Sequence, residues 1–151
     1  MEIKNRKAAR NYKIFQKIEA GIVLTGNEIK SIRAGRVNFL DSYAKVENGE
    51  VWLYNLHISP YAKGSFQEEK PDRKRKLLLN KREIDRWARQ SEQRGFTLIP
   101  LRLYINERGL AKIELGLAKG KKKYEKRETI KERDMKREEL QIQRRKMKRL
   151  Q

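Results

Sequence analysis

A β-hairpin is predicted by the segment Tyr43-Ala44-Lys45-Val46-Glu47-Asn48-Gly49-Glu50-Val51-Trp52-Leu53-Tyr54. Asn48-Gly49 separates two short runs of strand-forming residues. A two-residue reversal between such strands needs positive φ angles, which Asn and Gly adopt most readily. We therefore expect two antiparallel strands joined by a tight turn.

The residues after the hairpin predict a loop and then a helix. The loop extends from Ser59 to Arg75 and closes on a basic run. Asn80 is placed to cap the helix, with Glu83 three residues later for a capping box, and Gly95 is placed to end it. Ile84, Trp87 and Ala88 are expected to face inward.

Two further strands are predicted over Leu98–Ile105 and Leu110–Leu117, because apolar residues alternate in both and Asn106–Gly109 supplies a turn. Pro100 lacks a backbone N–H, so it indicates an edge position or a β-bulge.

On the amino-terminal side of the hairpin, the pattern around Ala20-Gly21 predicts two short strands that meet at a turn. A short helix follows, with Asn27 as its cap and Gly35 as its end. Ile29 and Ile32 are expected to face inward, which leaves Lys30 and Arg33 on the outer face.

These elements predict a mainly β fold, namely a small antiparallel β-barrel of the OB-fold type with two or three short helices. About six strands fit a closed or partly closed barrel, since closure removes exposed strand edges. Residues 1–118 are expected to form this one domain.

Residues 119–151 form a separate basic tail, with 15 lysines and arginines, six acidic residues and seven apolar side chains. Ordering a backbone costs roughly 1–2 kcal/mol per residue, and so little apolar surface does not offset it. We expect the free tail to be disordered. If it folds as a helix on a partner, one face carries a basic stripe of Lys119, Lys122, Lys126, Arg133 and Arg137.

The whole chain carries a net charge of +19. Each Lys or Arg placed on a phosphate releases condensed counterions, so nucleic acid is the first partner expected. The chain has no cysteine, and no apolar run in it is long enough for a signal peptide or a membrane span. A cytoplasmic protein without membrane partners is therefore predicted.

The sequence offers little for catalysis. His57 is the one histidine and has no Cys or second His to complete a metal site or a nucleophile–base pair, so a structural role is expected. Glu68-Glu69 is expected to lie in a solvated loop. The segment 116–122 lacks the spacing of a nucleotide-binding loop, which leaves a flexible junction or an anion-binding loop. We predict neither enzymatic activity nor a cofactor.

Six ordered motifs occur along the chain, namely Asn5-Arg6-Lys7-Ala8, Glu19-Ala20-Gly21-Ile22, Gly26-Asn27-Glu28-Ile29-Lys30-Ser31-Ile32-Arg33, Asp41-Ser42-Tyr43, Arg75-Lys76-Leu77-Leu78-Leu79 and Gly116-Leu117-Ala118-Lys119-Gly120-Lys121-Lys122. Together they resemble the SmpB family, the small bacterial proteins that bind transfer-messenger RNA in ribosome rescue.

The resemblance implies a barrel that grips the tRNA-like domain of transfer-messenger RNA. It further implies a tail that enters the small-subunit decoding centre and the empty mRNA channel of a stalled ribosome as a helix. Elongation factor Tu is implied as a partner through the RNA complex, and the protein is expected to be a monomer.

The residues that the resemblance assigns to RNA binding are Asn5, Arg6, Lys7, Tyr12, Glu19, Lys30, Arg33, Arg75, Lys76 and Leu78. The basic members suit phosphates, whereas Tyr12 and Leu78 suit either exposed bases or the barrel core. The tail residues assigned to the decoding centre are Lys119, Lys121, Lys122, Tyr124, Lys126 and Arg127. Members of the family commonly have Asp immediately before the pair that corresponds to Lys126-Arg127, whereas this chain has Glu125 there.

Two other classes of protein remain as alternatives to an SmpB-like function, and each would differ in its RNA binding or its acidic residues. A general basic ribosomal protein or RNA chaperone would share the composition and the barrel but would bind many RNAs with little selectivity. An RNA-processing enzyme would need a carboxylate cluster for magnesium, and the scattered acidic residues do not predict one.

Overall fold

The computed structural model describes residues 1–61, 70–121, 137 and 140–145. The chain divides into two compact units, Met1–Lys119 and Gly120–Gln151. In the second unit, Lys121, Arg137 and residues 140–145 are helical, and Leu140 and Ile142 are exposed. The domain division predicted at residue 118 stays a prediction.

The first unit is mainly β with three short helices. Its elements are β1 (Glu2–Lys4), α1 (Arg6–Asn11), β2 (Tyr12–Ile22), α2 (Gly26–Arg33), β3 (Val37–Asn38), β4 (Tyr43–Glu47), β5 (Glu50–Tyr54), β6 (His57–Ile58), β7 (Arg75–Leu78), α3 (Lys81–Arg94), β8 (Thr97–Ile105) and β9 (Ala111–Gly120).

Six strands close into a barrel. The sheet order is β1-β8-β4-β5-β7-β2-β9, and β8 also pairs with β9, so the sheet returns to itself with β1 attached outside the ring. β3 and β6 form a separate two-stranded sheet. Closure pairs the strand edges that an open sheet would expose, and the predicted fold class is confirmed.

The barrel interior is filled by the inward-facing residues of the strands, together with one apolar face from α2 and one from α3. The most buried members are Ile32, Val51, Leu53, Leu77, Trp87, Leu103, Ile113, Leu115 and Leu117. Because buried and more exposed residues alternate along β5 and the first half of β9, the side chains between the buried positions face away from the core.

The predicted hairpin is confirmed. β4 and β5 pair in register from Tyr43↔Tyr54 to Glu47↔Glu50. Asn48 and Gly49 have φ angles of 51° and 76°, as a tight two-residue turn between twisted strands requires.

The turn predicted at Ala20-Gly21 is wrong, because β2 is one strand of 11 residues. Ala20 is buried, and Gly21 pairs with Leu78 of β7. A Cβ atom at Gly21 would lie 3.2 Å from the Leu78 Cβ, so glycine here permits a close approach of two strands instead of a reversal.

The caps of the two longer helices differ from the prediction in one case. α2 is capped by Thr25, whose hydroxyl accepts from the Glu28 N–H while a Glu28 carboxylate oxygen accepts from the Thr25 N–H. The prediction of Asn27 as the cap is therefore wrong by two residues. α3 starts after Asn80 as predicted, with the Asn80 side chain accepting from Glu83, and ends at Gly95 in the left-handed conformation.

Pro100 lies at a β-bulge, one of its two predicted settings. The pairing of β8 with β9 shifts register between Pro100 and Arg102, which removes the need for a proline N–H in the ladder. Within the described residues, no helix is long and apolar enough to cross a membrane.

Candidate nucleic-acid interface

The amino-terminal part of the predicted RNA-binding set lines one groove. The Asn5 side-chain amide donates to the Pro100 carbonyl (2.8 Å), and the Asn5 N–H donates to the Leu101 carbonyl (2.8 Å). These bonds fix the start of α1 against the bulged part of β8. Arg6 and Lys7 are consequently held on the exposed side of α1.

The groove has a volume of about 640 Å³, and α1 and the first residue of β2 form one of its walls. Asn5, Arg6, Lys7 and Tyr12 all contribute to it. The opposite wall is the segment 37–43. Tyr12 is half-buried and packs on the small apolar cluster around Ala8, Ile99 and Ala118, so it has one side in the core and one available to a ligand.

Lys30 and Arg33 lie on the exposed face of α2, as predicted. The opposite face buries Ser31 and Ile32, so the two cations are held on a rigid element that is anchored to the barrel. The Lys30 ammonium lies 5.5 Å from the centre of the Tyr61 ring.

Glu19, Lys76 and Leu78 lie on β2 and β7, the two strands that meet at Gly21. Leu78 is 54% exposed, so its side chain is available at the surface instead of filling the core. The Lys76 ammonium lies 3.2 Å from the Glu50 carboxylate, with both side chains well exposed. Burial and a hydrogen bond to Glu19 raise the pKa of Tyr104 of β8 to about 12, so the Glu19 carboxylate is the acceptor for the Tyr104 hydroxyl.

Arg75 requires a correction, because its side chain is fully buried and does not reach an RNA surface. Its guanidinium bonds the Glu28 carboxylate, with the Nε donor 2.7 Å from Oε2, and also donates to the carbonyls of Leu56, Pro71 and Arg73. Arg75 therefore ties α2 and the segment before β7 to the barrel instead of binding phosphate.

The Glu28 carboxylate is the matching buried anion. Burial alone would raise its pKa, but hydrogen bonds from Arg73 and the Thr25 N–H, together with the charge of Arg75, lower it below the ordinary value. Glu28 is thus charged in the folded protein and couples α2, which carries Lys30 and Arg33, to β7, which carries Lys76 and Leu78.

The aromatic outer face of the β4–β5 hairpin was not predicted from the sequence. The Tyr43 and Tyr54 rings stack with centres 5.3 Å apart, and the Lys74 ammonium lies 4.6 Å from the Trp52 ring centre. Glu47 accepts from the Tyr54 hydroxyl and raises its pKa to about 12. Strand alternation was the available signal, because it places Tyr43, Trp52 and Tyr54 on the face opposite to Val51 and Leu53.

Of the tail residues assigned to decoding, Lys119 lies in β9, and its ammonium is 4.5 Å from the centre of the Phe96 ring. Lys121 is helical. Lys122, Tyr124, Lys126 and Arg127 lie outside the described residues, as do Glu68-Glu69 and, from the predicted stripe, Arg133.

His57 lies in β6 opposite Asn38 and is exposed, so it is not part of the core. Among the described residues, no group of three or more His, Asp and Glu side chains is arranged to hold a metal ion.

Comparison with known proteins places these features in a family. The family model described as "SmpB protein" matches residues 2–148. The SsrA-binding protein of Desulfitobacterium hafniense strain DCB-2 is 60% identical over 89% of this chain and 85% of its own length. The SsrA-binding protein of Caldicellulosiruptor bescii is 58% identical over 95% of this chain and 88% of its own length.

A solved structure supports the same assignment. A chain from "tmRNA-SmpB: a journey to the center of the bacterial ribosome" superposes with a TM-score of 0.69 and 53% identity, covering 80% of this chain and 84% of that chain. The resemblance seen in the six sequence motifs is thereby confirmed. This chain belongs to the SmpB family.

Proposed function

We propose that this protein binds the tRNA-like domain of transfer-messenger RNA through its barrel and delivers that RNA to stalled ribosomes for trans-translation. The observation that carries the proposal is that eight of the ten predicted RNA-binding residues, all except Asn5 and Arg75, lie on α1, α2, β2 and β7 with exposed or half-buried side chains. Relatives named SsrA-binding proteins and a tmRNA–SmpB structure support it.

The side chains on this surface have distinct roles in the proposal. Arg6, Lys7, Lys30, Arg33 and Lys76 bind phosphates and fix the position of the RNA. Tyr12 and Leu78 pack on unpaired bases or sugars, and Glu19 accepts from a base edge. Asn5 and Arg75 hold the elements that carry these groups.

The tail is the second functional part. Its high positive charge suits the rRNA of the decoding centre and the empty mRNA channel of the small subunit, and Tyr124 among lysines suits stacking on a base. Lys119, Lys121, Lys122, Lys126 and Arg127 are assigned to the backbone phosphates on this path. An empty channel is thus recognised as the mark of a stalled ribosome.

We further infer that the protein works as a cytoplasmic monomer and is not itself an enzyme. Elongation factor Tu is expected to meet it through the RNA complex. The chemistry of peptide transfer then belongs to the ribosome, and this protein contributes binding and placement.

A competition experiment tests the proposed function. The tRNA-like domain of transfer-messenger RNA competes with excess ordinary tRNA at about physiological salt, for the full chain and for a form ending at Gly120, which keeps β9 whole. Both forms are expected to prefer the tRNA-like domain by at least about tenfold, because recognition lies in the barrel and each specific base contact contributes about 1–3 kcal/mol. Equal binding of the two RNAs would favour a general RNA chaperone or ribosomal protein.

Glu19→Ala is expected to weaken binding of the tRNA-like domain about tenfold, since it removes a charged acceptor from the interface. Its thermal midpoint should hardly change, because Glu19 is exposed. Tyr104→Phe is the matched control, as it removes the hydroxyl that donates to Glu19 but keeps the carboxylate. A midpoint lowered by many degrees in Glu19→Ala would make Glu19 a structural residue.

A further inference from the structure

We propose that the groove between α1 and the segment 37–43 binds one unpaired guanosine of transfer-messenger RNA, with the Asp41 carboxylate reading the base. The inference rests on the proposed function and adds the identity of one recognised nucleotide. It also assigns a role to Asp41, which the RNA-binding set predicted from sequence does not contain.

The composition of the groove matches the parts of a nucleotide. Lys4, Arg6 and Lys7 line it and supply cations for phosphate. Tyr12 and Tyr43 supply rings on which a base can stack. At about 640 Å³ the groove is within the range of small-ligand sites and has room for one nucleotide with its flanking phosphates.

Among the described residues that line this groove, Asp41 is the one acidic residue. The excess of three cations over one anion favours a polyanionic ligand, so a carboxylate at this place costs phosphate affinity. A carboxylate in a phosphate-binding groove is therefore best explained if the ligand carries a hydrogen-bond donor from which that carboxylate accepts.

The loop that presents Asp41 is fixed by its own hydrogen bonds. The Ser42 N–H and hydroxyl both donate to the Phe39 carbonyl, at 2.9 and 2.6 Å, and the Leu40 N–H donates to the Asn38 side chain at 2.8 Å. The Asn55 side chain donates to the Asp41 carbonyl at 3.2 Å. Only the last of these bonds involves Asp41, through its backbone carbonyl, and none of them uses its carboxylate, which is therefore not needed to hold the loop.

Asp41 itself has a φ angle of 60°, in the left-handed region that only Gly, Asn and Asp adopt readily. The hydrogen bonds of the loop hold Asp41 in this conformation before RNA binds.

The hydrogen-bonding chemistry selects guanine among the four bases. A carboxylate is an acceptor only, with two oxygens side by side. The Watson–Crick edge of guanine carries two adjacent donors, N1–H and the N2 amino group. Adenine, cytosine and uracil each place an acceptor beside their donor, so each would oppose one carboxylate oxygen with a lone pair.

The test replaces each unpaired guanosine of the tRNA-like domain in turn by inosine, which lacks only the N2 amino group. Affinities are measured for the full-length wild-type protein and for Asp41→Asn. Asparagine tolerates the left-handed backbone and keeps the shape of the side chain, so the variant is expected to fold, and its thermal midpoint checks this. Asp85→Asn, the same change on the exposed side of α3, is the matched control.

At one position, inosine is expected to weaken wild-type binding about tenfold, as expected for the loss of a base-specific hydrogen bond. Asp41→Asn is expected to bind the unmodified RNA about tenfold more weakly and to show no further loss with inosine at that position, since both changes remove the same interaction. Asp85→Asn should keep the wild-type dependence on inosine.

Two results would overturn the guanosine site while leaving the proposed function intact. One is selective binding of the tRNA-like domain that no inosine substitution weakens. The other is an inosine effect that persists in full in Asp41→Asn, which would place the guanosine elsewhere. If the wild-type protein instead fails to distinguish the tRNA-like domain from ordinary tRNA, the proposed function fails, and this site fails with it.

Discussion

Glu28→Gln is expected to lower the free energy of unfolding by about 3 kcal/mol, because it leaves the guanidinium of Arg75 buried without its anion. The carboxylate accepts from both Arg73 and Arg75, and its side chain and that of Arg75 are 7% and 1% exposed. Two charges removed from water stabilise a fold only as a pair, so the loss of one is costly. The thermal midpoint should fall by on the order of 10 °C.

Glu50→Gln is the matched control, because it makes the same chemical change at an exposed ion pair. The Glu50 and Lys76 side chains are 44% and 40% exposed, so water and salt screen their attraction. The expected loss is under about 1 kcal/mol. Equal losses in the two variants would show that burial does not set the strength of the Glu28 contacts.

The pH dependence of the same variant gives a second readout. The pKa of Glu28 is lowered in the folded protein, so its contribution to stability is present above its ordinary value of about 4.5 and is lost as pH falls through the folded-state pKa. The stability difference between wild type and Glu28→Gln should therefore be constant between about pH 6 and 7 and shrink below about pH 4.5. A difference that grows on acidification would contradict the assignment.

The same variant is expected to weaken RNA binding at a temperature where it remains folded. Glu28 joins α2 to β7 through Arg75, and these two elements carry Lys30, Arg33, Lys76 and Leu78. A change in the placement of α2 would separate phosphate contacts that act together.

The burial of Arg75 could have been predicted from strand periodicity. Arg75 and Leu77 are two residues apart in β7 and so share a face, and Leu77 is apolar. The basic run from Arg73 to Lys76 instead indicated an exposed edge. Alternation was the better guide here, because it is imposed by backbone geometry and holds for charged residues with a buried partner.

The Glu28 partner could also have been found from sequence. Thr25 and Glu28 have the spacing of a capping box, and this signal was missed in favour of Asn27. What no local pattern contains is that Glu28 also meets Arg75, 47 residues away in the chain. That contact exists only because the barrel brings α2 next to the first residue of β7.

The candidate interface likewise has one part that was predicted from the sequence and one part that was not. Exposed cations such as Lys30 and Arg33 follow from helical periodicity alone, and their placement was predicted correctly. The groove did not follow, because its walls are α1 and the segment 37–43, which are separated by the whole of β2 and α2. A cavity between segments that are distant in sequence depends on tertiary packing, which composition and periodicity do not specify.

Reversal of charge at two tail positions, Lys122→Glu with Lys126→Glu, is expected to abolish tagging of stalled peptides while sparing the binding of transfer-messenger RNA. The double change shifts the local charge by four units on a path that the proposal lines with rRNA phosphates. Tagging on stalled ribosomes should fall by about a hundredfold or more, since repulsion replaces two charged contacts.

The matched control places the same charge change on the barrel unit, at two exposed residues of α3, as Lys81→Glu with Arg82→Glu. Tagging should then remain close to the wild-type level, because neither residue belongs to the proposed interface or to the tail. Binding of the isolated tRNA-like domain, measured in parallel, should stay within about threefold of wild type in both double variants. Loss of that binding in the tail variant would contradict the division of labour, since the tail would then take part in gripping the RNA as well as in probing the ribosome.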